Sequence, residues 1–133
     1  MEFVKRVKFL CDRHVKGPLF IETGIRFEKD IVSIFGNPDG RYEIQYKAGS
    51  KRLPNLLLGY GDQPKEDPSG KSGIDVPYTV ISSLPVKPQS IFDCCIGLGS
   101  TAKVAKKLGI ICYANELNPK RAEQAMKILG LLT

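Results

Sequence analysis

Apolar residues recur along the chain in two periods, and the switches between them mark out its elements. Residues 2–14 place Phe3, Val7, Leu10 and Cys11 on one face of a helical wheel, with Lys5, Arg6, Lys8 and Asp12 on the other. Residues 16–24, "KGPLFIETG", form a short apolar run between Gly-Pro and glycine, the mark of a buried strand. In "RFEKDIVSIFG", Phe27, Ile31, Ile34 and Phe35 return at helical offsets, and the stretch is read as helix. "NPDG", residues 37–40, is a turn, since proline presets one backbone angle and Asp-Gly tolerates the left-handed one. After it Tyr42, Ile44 and Tyr46 alternate with polar residues, as in a half-buried strand. "KRLPNLLLGYG" is expected to continue the hairpin across a bend at Pro54, with "NLLLGY" as the second strand.

Residues 62–75, "DQPKEDPSGKSGID", carry no apolar pattern and are expected to be one long flexible loop, functional or mobile. The second half of the chain is more regular. "VPYTVISSLP" reads as a helix with proline in its first turn and another closing it, and "SIFDCC" as a strand. "STAKVAKKLG" reads as a helix stopped by Gly109, and "IICYANE" as another buried strand. The last helix, "NPKRAEQAMKILG", is capped by Asn118, opened by Pro119 and carries Ala122, Ala125, Met126 and Leu129 on one face. Strands alternating with helices imply an α/β domain: a Rossmann-like parallel sheet with helices on both faces, plus a β-hairpin.

Composition sets limits on this picture. A chain of 133 residues, 42% hydrophobic, fits a single domain with a real core, spanning 1–133. The net charge of +6 makes phosphate-bearing partners plausible without selecting one. Four cysteines without paired C-x-x-C spacing and a single histidine, His14, do not indicate a metal site. With no signal-peptide core and no apolar run near the roughly 18 residues of a membrane span, the chain reads as cytoplasmic, with reduced cysteines. Cys94 and Cys95 are read as packing residues rather than nucleophiles.

The chemistry concentrates between residues 90 and 116. Gly97 and Gly99 separate a strand from a helix, so the backbone can turn sharply there and a ligand can approach without meeting a Cβ. The amides of Ser100, Thr101 and Ala102 then lie at the positive end of the helix. Glu116 ends the following strand, and a right-handed strand-helix-strand unit brings it beside the glycine turn, where a carboxylate can hold both hydroxyls of a ribose. The ligand is therefore expected to be an adenosine-type cofactor held by residues 76–133. "GLGSTA" also fits the dinucleotide fingerprint G-x-G-x-x-G/A. Asp93, an acid just before the turn, would oppose a pyrophosphate and suits the ammonium of a methionine moiety, which favours S-adenosylmethionine over a dinucleotide.

"FDCCIGLGST" resembles the D-x-F-x-G-S-G-T-T motif of amino-group DNA methyltransferases, with Asp93, Gly97, Gly99 and Thr101 at matching places. "YANELNPKRAEQA" resembles that family's G-x-E-x-x-P segment, and "DVPYTVISSLPVKPQSIFD" the stretch leading into the cofactor motif of permuted members. Leu98, Ser100 and Cys95 depart from the usual serine, threonine and phenylalanine. The resemblance implies a truncated class I methyltransferase-like fold that binds S-adenosylmethionine through Asp93, Cys95, Gly97, Gly99, Ser100, Thr101 and Glu116, with DNA as a partner.

Members of the family hold the target amine with an Asp/Asn/Ser-Pro-Pro-aromatic tetrapeptide, and none occurs here; "NPDG" and "DVPY" are the nearest. In the permuted order that segment comes first, so the chain is expected to begin one motif later. Three readings follow: a split enzyme whose second polypeptide supplies the catalytic strand, a degenerate cofactor-binding protein, or a homo-oligomer that covers its own exposed sheet edge. A non-catalytic binding protein and a dinucleotide-dependent oxidoreductase remain as alternatives. Lys47, Lys51, Arg52, Lys65 and Lys71 suggest either a nucleic-acid footprint or ordinary solvated charge, with Asp62, Glu66, Asp67 and Asp75 diluting the patch. Tyr60 and Tyr78 are weighed as base-stacking residues against simple packing.

Overall fold

Three successive leucines, Leu56, Leu57 and Leu58, are all buried in one strand, which requires cover on both faces of the sheet that contains it. The computed structural model describes residues 2–94, 99–116 and 118–130 and resolves them into two compact units, Met1–Pro85 and Val86–Thr133. In the first, α1 (Glu2–His14), β1 (Leu19–Thr23), a 3₁₀ turn at Ile25–Phe27, α2 (Glu28–Phe35), β2 (Gly40–Ala48), β3 (Lys51–Tyr60) and α3 (Asp75–Ser82) follow one another. The sheet order is β1-β3-β2, antiparallel throughout.

Alternation along β3 divides its leucines between two layers. Leu56 and Leu58 meet Ile31 and pack with Val4 of α1, Ile21 of β1, and Val32 and Phe35 of α2. Leu57 points the other way, to Ile44, Val76 and Val80, with Phe20 and Tyr42 alongside. Helices thus cover both faces of this sheet, with α3 on one of them, but the sheet is antiparallel where the alternation of strands and helices implied a parallel one; the parallel pairing is confined to the second unit. The ambiguous stretch after Gly24 is helical: the 3₁₀ turn runs directly into α2.

Two expectations for the hairpin change. β3 is continuous through Pro54, which pairs with Gln45 of β2. The bend is unnecessary because β1 ends at the Thr23–Leu56 pair, leaving Pro54 a neighbour on one side only, and a residue lacking an N–H is tolerated there. Tyr46, assigned by alternation to the covered face, is exposed: Val76 and Val80 of α3 cover Tyr42 and Ile44 on that face, and the cover stops short of Tyr46.

The 62–75 stretch is tied down along its length. Gly70 N donates to Glu43 O (2.9 Å), Gln45 N donates to Lys71 O (2.9 Å), and Lys65 N donates to Ser83 O (2.8 Å). Tyr42 Oη donates to Gln63 Oε1 (2.8 Å), and Pro68 is fully buried.

In the second unit, β4 (Ser90–Asp93), α4 (Ser100–Leu108), β5 (Ile111–Ala114) and α5 (Pro119–Ile128) follow. β4 and β5 pair in parallel, the expected strand-helix-strand unit, but β5 is not the buried strand that was expected, since Ile111 and Tyr113 are exposed. Ala102, Val104, Ala105 and Ile110 are its buried apolar residues around α4. Gly109 ends α4 in the left-handed conformation (φ 70°), with Gly109 and Ile110 amides bonding back to Lys106 and Ala105 carbonyls. Asn118 caps α5, its Oδ1 accepting from the amides of Lys120 (3.0 Å) and Arg121 (3.4 Å), with Pro119 in the first turn. On α5 only Ala125 is buried, and Met126, expected to face inward with it, is 41% exposed. No helix among the described residues is long and apolar enough to cross a membrane.

Candidate functional site

The parallel register fixes what shares an edge. Asp93, the last residue of β4, pairs with Ala114 of β5, so Glu116 stands two residues past the partner of Asp93 at the carboxyl ends of both strands. Asn115 N donates to Asp93 O (3.0 Å), which extends the ladder to the residue before Glu116. In parallel α/β units ligands settle at this carboxyl edge. The two acids singled out from sequence are brought to it together.

The glycine turn is described from Gly99 onward; Cys95 and Gly97 lie outside the described residues. Gly99 has φ 92° and ψ 23°, a left-handed conformation that side chains rarely adopt. It is buried, and a Cβ built on it would lie 3.5 Å from Ala125 Cβ and 3.8 Å from Leu129 Cδ1, facing α5 at ordinary contact distance. Its geometry thus shows the sharp turn that the sequence called for, while its Cβ direction belongs to α5.

That turn exposes the start of α4. The first intrahelical bond runs from Lys103 N to Gly99 O (2.9 Å), so the amides of Ser100, Thr101 and Ala102 have no acceptor within the helix, and the N-cap residue, Gly99, has no side chain to offer them. Ser100 is exposed and Thr101 half-buried. Such a helix start, with its partial positive charge, suits carboxylate or hydroxyl oxygens.

Cys112, on β5, has its thiol pushed above the ordinary value, first by burial and then by the Asp93 carboxylate. Both effects disfavour the thiolate, so at neutral pH Cys112 is a packing residue rather than a nucleophile. The acid nearest the turn instead leaves a negative field at the strand ends, favourable to an ammonium group and unfavourable to a pyrophosphate.

Of the two tyrosines weighed for base stacking, Tyr60 takes the packing role. Tyr60 packs on Phe35 (centroids 5.9 Å apart) and donates its hydroxyl to Gly36 O (3.0 Å), which makes it structural. Tyr46, which sequence reasoning passed over, is the more exposed ring, at 55% against 37% for Tyr78. No local signal distinguishes Tyr46 from Tyr42; the cover that Val76 and Val80 of α3 give to Tyr42 does.

No protein-family model matches the sequence, and no curated protein does. Among solved structures, the M1.HpyAVI–SAM complex superposes with a TM-score of 0.69 at 14% identity, covering 86% of this chain and 74% of that one. M1.HpyAVI crystallised by itself gives 0.71 at 15% identity, with 96% and 80% covered. At such identity the likeness is one of fold. The chain shares the α/β fold of these two structures.

Proposed function

We propose that this chain binds S-adenosylmethionine at the carboxyl edge of β4 and β5 and serves methyl transfer to an amino group of DNA. The observation that carries the reading is the parallel register, which sets Asp93 and Glu116 at one edge of the unit whose connecting helix, α4, begins at the left-handed Gly99. The residues fit the cofactor by charge: Asp93 for the ammonium, Glu116 for the ribose hydroxyls, and the turn through Cys95, Gly97 and Gly99 with the amides of Ser100 and Thr101 for the remaining oxygens. When bound, the cofactor supplies an electrophilic methyl group on a sulfonium centre. The M1.HpyAVI–SAM complex, a protein of the same fold holding that ligand, supports the choice.

The 133 residues contain no Pro-Pro pair, so the group that grips the target amine comes from a segment outside them, on a second polypeptide or otherwise. The same fact favours a second reading, in which the chain binds the cofactor and transfers nothing. Isothermal titration calorimetry with S-adenosylmethionine, its demethylated product and NAD tests the site. Binding of the first two, reduced at least tenfold by Glu116→Ala, is expected from the loss of charge-assisted hydrogen bonds of about 1.5–3 kcal/mol. Binding of NAD alone overturns the proposal. Transfer of labelled methyl to DNA by the chain alone overturns the claim that the amine-gripping group lies elsewhere.

A further inference from the structure

The hairpin offers a surface that the cofactor site does not use. β1 pairs with β3 only as far as Leu56, and the 62–75 loop supports β2 only as far as Gln45. Beyond those points the pairs Tyr46–Leu53, Lys47–Arg52 and Ala48–Lys51 and the Gly49–Ser50 turn continue without cover, and every residue from Tyr46 to Pro54 is exposed. At about 3.4 Å per residue this ribbon reaches roughly 10–14 Å past its last support.

Its charge is of one sign. Lys47, Lys51 and Arg52 fall in residues 44–55, which contain no Asp or Glu, and Lys71 adds an exposed fourth cation whose carbonyl is bonded to Gln45 at the root. None of the three enters an ion pair among the described residues. Arg41, lower on the same strand, is by contrast engaged by Glu28 at 2.6 and 3.0 Å and by Glu43 at 3.3 Å. Between the arm's cations lies the exposed cross-strand pair Tyr46–Leu53.

We infer that the Tyr46–Pro54 arm docks duplex DNA, entering its major groove with Lys47, Lys51 and Arg52 on the phosphates and Tyr46 toward the base edges. The inference deepens the DNA-directed reading above and rests on it. A two-stranded ribbon fits the B-form major groove, about 12 Å wide and 8.5 Å deep, and the arm is long enough to reach its floor. Double-stranded RNA has a deep, narrow major groove that side chains cannot read, which selects DNA. The one-signed charge supplies the sequence-independent part of the affinity.

Fluorescence anisotropy with a labelled 20-base-pair DNA duplex, a single strand of the same length and a double-stranded RNA tests the arm. For the combined Lys47→Ala, Lys51→Ala and Arg52→Ala variant, the slope of log affinity against log salt should shrink by about 2–3, from three lost phosphate contacts at about 0.9 each. Affinity at 0.1 M salt should fall at least tenfold, and Arg52→Glu alone should fall similarly. A control of equal charge change on other exposed lysines, Lys5→Ala, Lys16→Ala and Lys29→Ala, should lose less than threefold. Equal losses in the arm variant and the control, tighter binding of single strand or RNA, or no duplex binding by the parent chain each overturn the inference. Calorimetry with S-adenosylmethionine on the same variants separates the two readings: retained cofactor binding with unchanged DNA affinity defeats the arm alone, whereas loss of cofactor binding by Glu116→Ala with arm-dependent DNA binding intact leaves both standing.

Discussion

Glycines in left-handed conformations bracket α4, Gly99 at its start (φ 92°) and Gly109 at its end (φ 70°), and together they test what the turn before α4 requires of its backbone. Placing an L side chain in this region costs about 1–2 kcal/mol. Replacing glycine also removes unfolded-state freedom, which returns about 0.4–1 kcal/mol. The net expectation for Gly109→Ala, where nothing lies within 4 Å of the new methyl, is a destabilisation of about 1 kcal/mol. At Gly99 the new methyl meets Ala125 Cβ at 3.5 Å and Leu129 Cδ1 at 3.8 Å, which is contact without overlap, so the same figure applies. Urea unfolding followed by far-UV circular dichroism, together with amide exchange in α4, should show equal losses at the two positions. Gly109→Asn should recover part of its loss, since asparagine tolerates the left-handed region. A Gly99→Ala loss exceeding that of Gly109→Ala by more than about 2 kcal/mol would show that Gly99 is demanded by crowding rather than by its dihedral angles, and would refute the account given of the turn.

Other expectations concern the first unit. Leu58, fully buried between β3 and α2, should cost about 2–5 kcal/mol on replacement by alanine, read as a lower urea midpoint at unchanged slope. Glu28 is held below its ordinary value of 4.5, chiefly by its hydrogen bonds from Arg41. A depressed carboxylate contributes stability that is present above 4.5 and lost as pH falls through the lowered value, so the acid limb of the urea midpoint should be steeper for the parent chain than for Arg41→Gln. Equal acid limbs would show that the pair contributes nothing to folding.

How much of this was legible depended on how far each feature reached along the chain. The ends marked by a cap were so, because a cap is a local event: Gly109, Asn118 and Pro119 act within four residues of where they stand, whereas the helix expected to close at Pro85 ends at Ser82. The placing of Asp93 and Glu116 at one strand edge was also legible, since one strand-helix-strand unit with a fixed hand puts them there without help from elsewhere. Pro54 was misplaced because its surroundings are set by β1, which ends at Thr23, some thirty residues earlier in the chain, and Tyr46 because the cover on its face comes from α3, some thirty residues later. Met126 was turned inward by helical spacing alone, yet only Ala125 of α5 is buried. The direction of the Gly99 Cβ needed α5, whose approach no local pattern encodes.

An uncovered ribbon needs defending whatever its function, and this gives the arm's charges a plainer explanation to be weighed. Lysine and proline on a free strand edge deter pairing with other chains, and Lys47, Lys51, Arg52 and Pro54 all stand on one. Edge protection, however, is indifferent to sign: a carboxylate deters pairing as well as an ammonium does. It also gives no reason to expose an aromatic and a leucine opposite each other in the middle of the same ribbon. Docking on phosphate depends on sign and uses the apolar pair. Arg52→Glu therefore separates the two: under edge protection the protein stays monodisperse in light scattering and keeps whatever duplex affinity it had, whereas under docking it stays monodisperse and releases the duplex.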